Sequence, residues 1–203
     1  MSPFTLSLMA FLGRKALEYA EKWAQKDIRA RGTWAGECID FPVDTFAAVQ
    51  SGYSQNTPCV FVRVVEENPL RFVHESGTEY MVSDGVSDGG STPPLVRDPA
   101  KAWADLEPFG KFKYAFYLHD GMYREAGVFV RKDSSSKWEW MRVNRQMADL
   151  LFFQSMTACD GHNAEVRAIY AAVRAGASIA WRRHRDKSSS NESLPPSCNS
   201  EKR

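Results

Sequence analysis

Cysteine is scarce in this chain, and none of Cys38, Cys59, Cys159 and Cys198 stands at C-x-x-C spacing from another. The scatter argues against a zinc-ribbon framework and against a dense secreted disulfide scaffold, so a reducing compartment is expected. A long apolar run is missing too. The stretch MSPFTLSLMAFLGRKALEYAEKW holds an apolar patch too short to span a bilayer, with no basic residue before Arg14 of the kind a secretory signal carries. Neither a secretion signal nor a transmembrane segment is expected, and residues 5 to 26 read as an amphipathic helix. Excess charge of one sign is also lacking. The formal net charge is +1, and residues 182 to 203 hold six basic and three acidic groups, which leaves the rest of the chain slightly acidic. A protein whose whole surface grips phosphate is therefore not indicated, since that binding relies on clustered Lys and Arg. The one basic cluster, WRRHRDK at 181 to 187, reads as a solvated helix end with cations at the negative pole of the helix dipole.

What is present fits a soluble globular chain: 203 residues, 43% apolar and 25% charged, enough for one domain with an appended segment. The pattern divides it into an N-terminal helix and irregular segment (1–57), a core (58–182), and a polar, Ser- and Pro-rich tail (183–203) expected to be disordered. CVFVRVV at 59 to 65 is β-branched and aromatic, and LRFVHESGTEYMVS at 70 to 83 reads as two strands around Ser76-Gly77, giving a small antiparallel meander. SDGVSDGGSTPP at 83 to 94 reads as a loop. Asp98-Pro99 opens a short helix to about Leu106. Three longer helices follow: about Lys111 to Ala126 with Gly127 as its stop, about Trp140 to Ala158, and Ala164 to about Arg182. VFVRKDSSSKWEW, between the first two, can form a hairpin. The fold class expected is α+β, a small antiparallel sheet followed by a helical half with two packed helices.

Chemistry concentrates in FYLHDGMYREAG at 116 to 127. His119 and Tyr123 are four residues apart and share a helix face, with Asp120 about a quarter-turn away. On the next helix Asp149 sits inside MADLLFF, an apolar stretch where a carboxylate needs a partner. If the two helices run antiparallel, His119 can meet Asp149, and a histidine oriented by a carboxylate is a competent general base. The same residues could instead only join two core helices and satisfy buried polar groups. Asp84, Asp88 and the glycine-rich loop could add hard oxygen ligands to Asp120 for a calcium ion, which takes about 6 to 8 of them.

SDGGSTP (87 to 93), HDGMY (119 to 123), NRQMADLLFFQSM (144 to 156) and IYAAVRAGA (169 to 177) resemble, in order, the motifs of a phage and prophage family labelled domain of unknown function 1353. Ser91 and Arg145 belong to that pattern as supporting residues. A more distant resemblance is to phospholipase A2-like enzymes, which carry His-Asp-x-x-Tyr on one helix and an aspartate on the next. It implies His119 as the base, Asp120 as a calcium ligand, Asp149 as the residue orienting His119, and Tyr123 as a partner of Asp149. The loop here differs in having two prolines and an added acid, and the cysteines paired beside the histidine in the secreted enzymes are absent.

Together these readings lead to a phage-type hydrolase acting on a phospholipid or other ester with calcium, placed in a host cytoplasm or a phage particle. Two alternatives stand beside it. One is a non-catalytic phage structural or host-interaction protein with a phage or host protein as its partner. The other is a zinc hydrolase using His119, Asp120, Asp149 and His162, a ligand set poorer in nitrogen and sulfur than zinc prefers.

Overall fold

The computed structural model describes residues 32–42, 59–87, 111–160, 164–176 and 181–182. The expected helices at 5 to 26 and after Asp98, and the tail, lie outside them. Among the described residues eight strands and three helices are arranged as β1 (Gly32–Ala35), β2 (Cys38–Pro42), β3 (Val60–Val64), β4 (Arg71–His74), β5 (Glu79–Met81), β6 (Gly85–Ser87), α1 (Lys113–Glu125), β7 (Gly127–Arg131), β8 (Glu139–Arg142), α2 (Arg145–Asp160) and α3 (Ala164–Gly176). The fold is mixed α+β, with every strand pairing antiparallel.

Two sheets form where the sequence suggests one meander. β1-β4-β5-β7-β8 make a five-stranded sheet, and β3 lies apart from the β4–β5 hairpin, between β2 and β6. The chain changes sheets at Gly36, whose φ of 82° places it in the left-handed region that glycine tolerates. Glu37 then receives the backbone N–H groups of Val65 and Leu70, tying the two sheets at the crossover. β1 and β2, to which the sequence pattern assigns no element, thus belong to the same sheets as the later strands. The expected 83 to 94 loop also departs from its reading, because Gly85–Ser87 pairs with β3.

The helices stack on these sheets through three apolar clusters. α1 lays Leu118, Met122 and Tyr123 against Phe72 and Val128 of the large sheet, and Tyr117 against Val62 and Leu70 beside the small one. α2 is buried on more than one face: Phe152, Phe153 and Met156 meet Val166, Ile169 and Tyr170 of α3, while Ala148 and Leu151 face the large sheet. It also buries Ser155 and Thr157, whose hydroxyls donate to the carbonyls of Phe152 and Gln154. Trp34 of β1 packs at the edge of all three clusters and donates its indole N–H to the Ser155 carbonyl at 3.2 Å.

Two helix boundaries differ from expectation. α1 ends at Ala126, which itself takes the left-handed cap (φ 53°, ψ 31°), and Gly127 begins β7. Gly127 is needed for another reason: a Cβ there would overlap the indole of Trp140. α2 starts at Arg145 and not near Trp140, because Glu139–Arg142 pairs with β7. Asn144 caps it, its Oδ1 accepting the Met147 N–H at 2.9 Å.

Candidate functional site

The β7–β8 hairpin turns the chain back so that α2 packs on α1, which sets His119 beside Asp149. The imidazole Nε2 lies 3.2 Å from Asp149 Oδ1, and Tyr123 donates its hydroxyl to the same oxygen at 2.5 Å. Both donors come from one face of α1, as their four-residue spacing dictates. The His119 ring is held between Tyr123 and Phe152, with ring centroids 4.2 Å and 4.5 Å away. Its other nitrogen, Nδ1, faces Asp120 Oδ1 at 4.0 Å. Asp120 in turn accepts a hydrogen bond from Ser87 at 2.6 Å, tying the site to the end of β6.

Asp149 is fully buried and His119 retains 6% of its surface. A carboxylate in that position demands compensation, and it receives more than the sequence pattern suggests. Arg174 of α3 reaches Oδ2 at 2.6 Å, and Arg145 lies 3.8 Å from the same oxygen. Burial pushes the Asp149 carboxyl up, but the hydrogen bond and charge of His119, with hydrogen bonds from Tyr123 and Arg174, outweigh it and hold the group below the usual carboxylate range. The Tyr123 hydroxyl is pushed up by burial and by the neighbouring Asp149 charge, so it stays a donor. An ionised carboxylate has no proton to give, so in the neutral imidazole the hydrogen shared with Asp149 sits on Nε2 and the lone pair is on Nδ1.

The structure brings together His119, Tyr123, Asp149 and Arg145, with Asp120 at the Nδ1 edge. The family pattern leads to a pairing of Arg145 with Asp88 or Asp120; among the described residues Arg145 instead faces Asp149 and donates to the Arg174 carbonyl at 3.4 Å. Asp84 stands elsewhere, accepting the Val64 N–H at 2.9 Å with Arg63 4.0 Å away. Asp88, Ser91 and His162 lie outside the described residues. Arg174 is the residue that sequence reasoning missed. It lies within IYAAVRAGA, and the signal was available in principle: a carboxylate buried in an apolar helix calls for a cation, and Arg174 is an arginine in the next helix.

The donor set bears on a metal. Among the described residues no group of three or more His, Cys, Asp or Glu side chains is placed to hold an ion. Asp120, one of whose oxygens already accepts from Ser87, falls far short of the oxygens calcium needs, so a calcium site here requires donors from outside the described residues. Zinc fits less well, because the Asp149 oxygens are taken by Tyr123, His119 and Arg174 and a further cation would sit against a guanidinium. A crevice between the sheets and α1 is lined by Trp34, Val62, Tyr80, Tyr117, Arg124 and Ser87, and through Ser87, the partner of Asp120, it borders the site. No helix among the described residues is long and apolar enough to cross a membrane. Comparison with protein-family models, with curated proteins and with solved structures finds no match for the chain.

Proposed function

We propose that the chain is a phage-type hydrolase that cleaves an ester, with a phospholipid as the specific substrate class and His119 as the general base. The observation that carries this reading is the asymmetric setting of one imidazole: Nε2 is engaged by a buried carboxylate at 3.2 Å, while Nδ1 faces a second carboxylate at 4.0 Å. Nδ1 takes a proton from water as the water oxygen attacks the acyl carbonyl. The tetrahedral intermediate then collapses, the bond to the leaving alkoxide breaks, and that oxygen takes the proton from Nδ1. Asp149 fixes the tautomer and stabilises the imidazolium in between. The resemblance to phospholipase A2-like enzymes implies the same roles for His119, Tyr123 and Asp149. Calcium, when bound with donors beyond the described residues, would polarise the acyl carbonyl.

A second reading has its own observation. Asp149 gathers donors from α1 and α3 while His119 is almost wholly enclosed, which is the arrangement of a polar tie between helices in a structural or host-interaction protein. Fatty-acid release from phospholipid vesicles by wild type and His119→Ala, with calcium or with chelator and beside thermal melts, separates the two. The hydrolase reading predicts release by wild type, loss of it in the variant, and a modest change in melting. No release by wild type, with a variant that melts many degrees lower, would leave the tie as the function of the network.

A further inference from the structure

We infer that Arg174 is a positioning residue: it fixes the Asp149 carboxylate so that its Oδ1 stays aimed at His119. The catalytic consequence rests on His119 serving as the base. Asp149 Oδ1 is shared by His119 and Tyr123 from α1, whereas Oδ2 has Arg174 at 2.6 Å and Arg145 only at 3.8 Å. The shorter contact is a charge-assisted hydrogen bond, and the longer one is an ion pair without one, so Arg174 is the group that fixes Oδ2 and, with Tyr123 on Oδ1, resists rotation of the carboxylate about its Cβ–Cγ bond. Arg174 is held in turn, because Arg145 donates to its backbone carbonyl at 3.4 Å and so ties the last turn of α3 to the first turn of α2. Three helices therefore set the orientation of one imidazole, and α3 joins the site through the Arg174–Asp149 contact, one residue removed from His119.

Removing Arg174 leaves Oδ2 without a close donor and the carboxylate held through Oδ1 alone, so it rocks about that anchor and His119 is no longer fixed in a single tautomer and orientation. The test combines Arg174→Met and Arg174→Lys with two readouts. The first is the 15N spectrum of histidine-labelled protein, with the His119 signals assigned by their loss in His119→Ala. The second is steady-state fatty-acid release from phosphatidylcholine and phosphatidylglycerol vesicles with calcium. Wild type is expected to show one tautomer, protonated at Nε2. Arg174→Met is expected to show averaged imidazole signals and kcat lowered roughly 10- to 100-fold with KM unchanged, the size usual when a supporting contact is lost. Arg174→Lys, which restores a cationic donor, is expected to recover both in part. Arg174→Gln keeps an N–H donor for use if the methionine variant does not fold, and is expected to fall between. A wild-type tautomer pattern in Arg174→Met or Arg174→Gln overturns the assignment. Averaged signals in the variant, with no hydrolysis by wild type, uphold the positioning role and defeat the hydrolase reading separately.

Discussion

Asp149 concentrates the physical cost of the site in one side chain. It is a fully buried carboxylate, and its stability contribution depends on staying ionised against Arg174 and the two α1 donors. Asp149→Ala leaves the Arg174 guanidinium without its counter-charge. It is expected to cost about 3 kcal/mol, the low end for a broken buried pair because Arg174 keeps partial contact with solvent. A denaturant titration measures this, and a loss under about 1 kcal/mol would mean the pair is energetically idle. The pH dependence follows from the direction of the shift. The folded-state carboxyl lies below its unfolded value of about 3.9, so its contribution is fully present above that pH. It is lost as pH falls through the lower, folded value. Melting temperatures taken from pH 7 downward should therefore fall less steeply in Asp149→Asn than in wild type below about pH 4. Parallel curves would contradict the shift.

At the scale of the element, the junction between α1 and β7 is where sequence and structure part most clearly. A glycine after a helical run reads as the helix stop, yet the left-handed residue is Ala126 and Gly127 is retained by packing under Trp140. Opposite outcomes are expected from two small changes. Ala126→Gly should stabilise the protein by about 0.5 to 1 kcal/mol, since the left-handed conformation costs a side chain and glycine nothing comparable. Gly127→Ala should destabilise by about 1 to 3 kcal/mol, because the indole must shift. Chemical denaturation of both variants checks the pair, and equal signs would place the cap wrongly. The α1 face carrying His119 and Tyr123, and the need of Asp149 for a partner, could be read from spacing and burial alone, as could the β4–β5 hairpin around Gly77. The pairings that depend on distant segments could not. β1 and β2 are not assigned from the sequence pattern, because β1 is fixed by pairing with β4 and by Trp34 bonding to Ser155, which lies 121 residues away, and β2 by pairing with β3. The separation of β3 from the β4–β5 hairpin depends on the crossover at Gly36 and Glu37. Arg174 was hidden for a similar reason, since a cation on an amphipathic helix looks like a solvated one until α3 is docked.

Across the whole molecule, the two sheets brace α1, and α1 and α3 meet at one carboxylate on α2. That convergence makes the site a single unit: α1 supplies the imidazole and a hydroxyl donor, α2 the carboxylate, and α3 the arginine that holds it. Groups that act as one unit lose their function together, so their separate removals do not add. The most direct test of the account is a double-mutant cycle on vesicle hydrolysis with His119→Ala, Asp149→Asn and the double variant, each measured where its melt shows it folded. The account predicts that His119→Ala alone abolishes nearly all release, that Asp149→Asn lowers it through His119, and that the double variant is no worse than His119→Ala. Losses that multiply, or residual activity in His119→Ala that still depends on Asp149, would contradict a base held by its carboxylate.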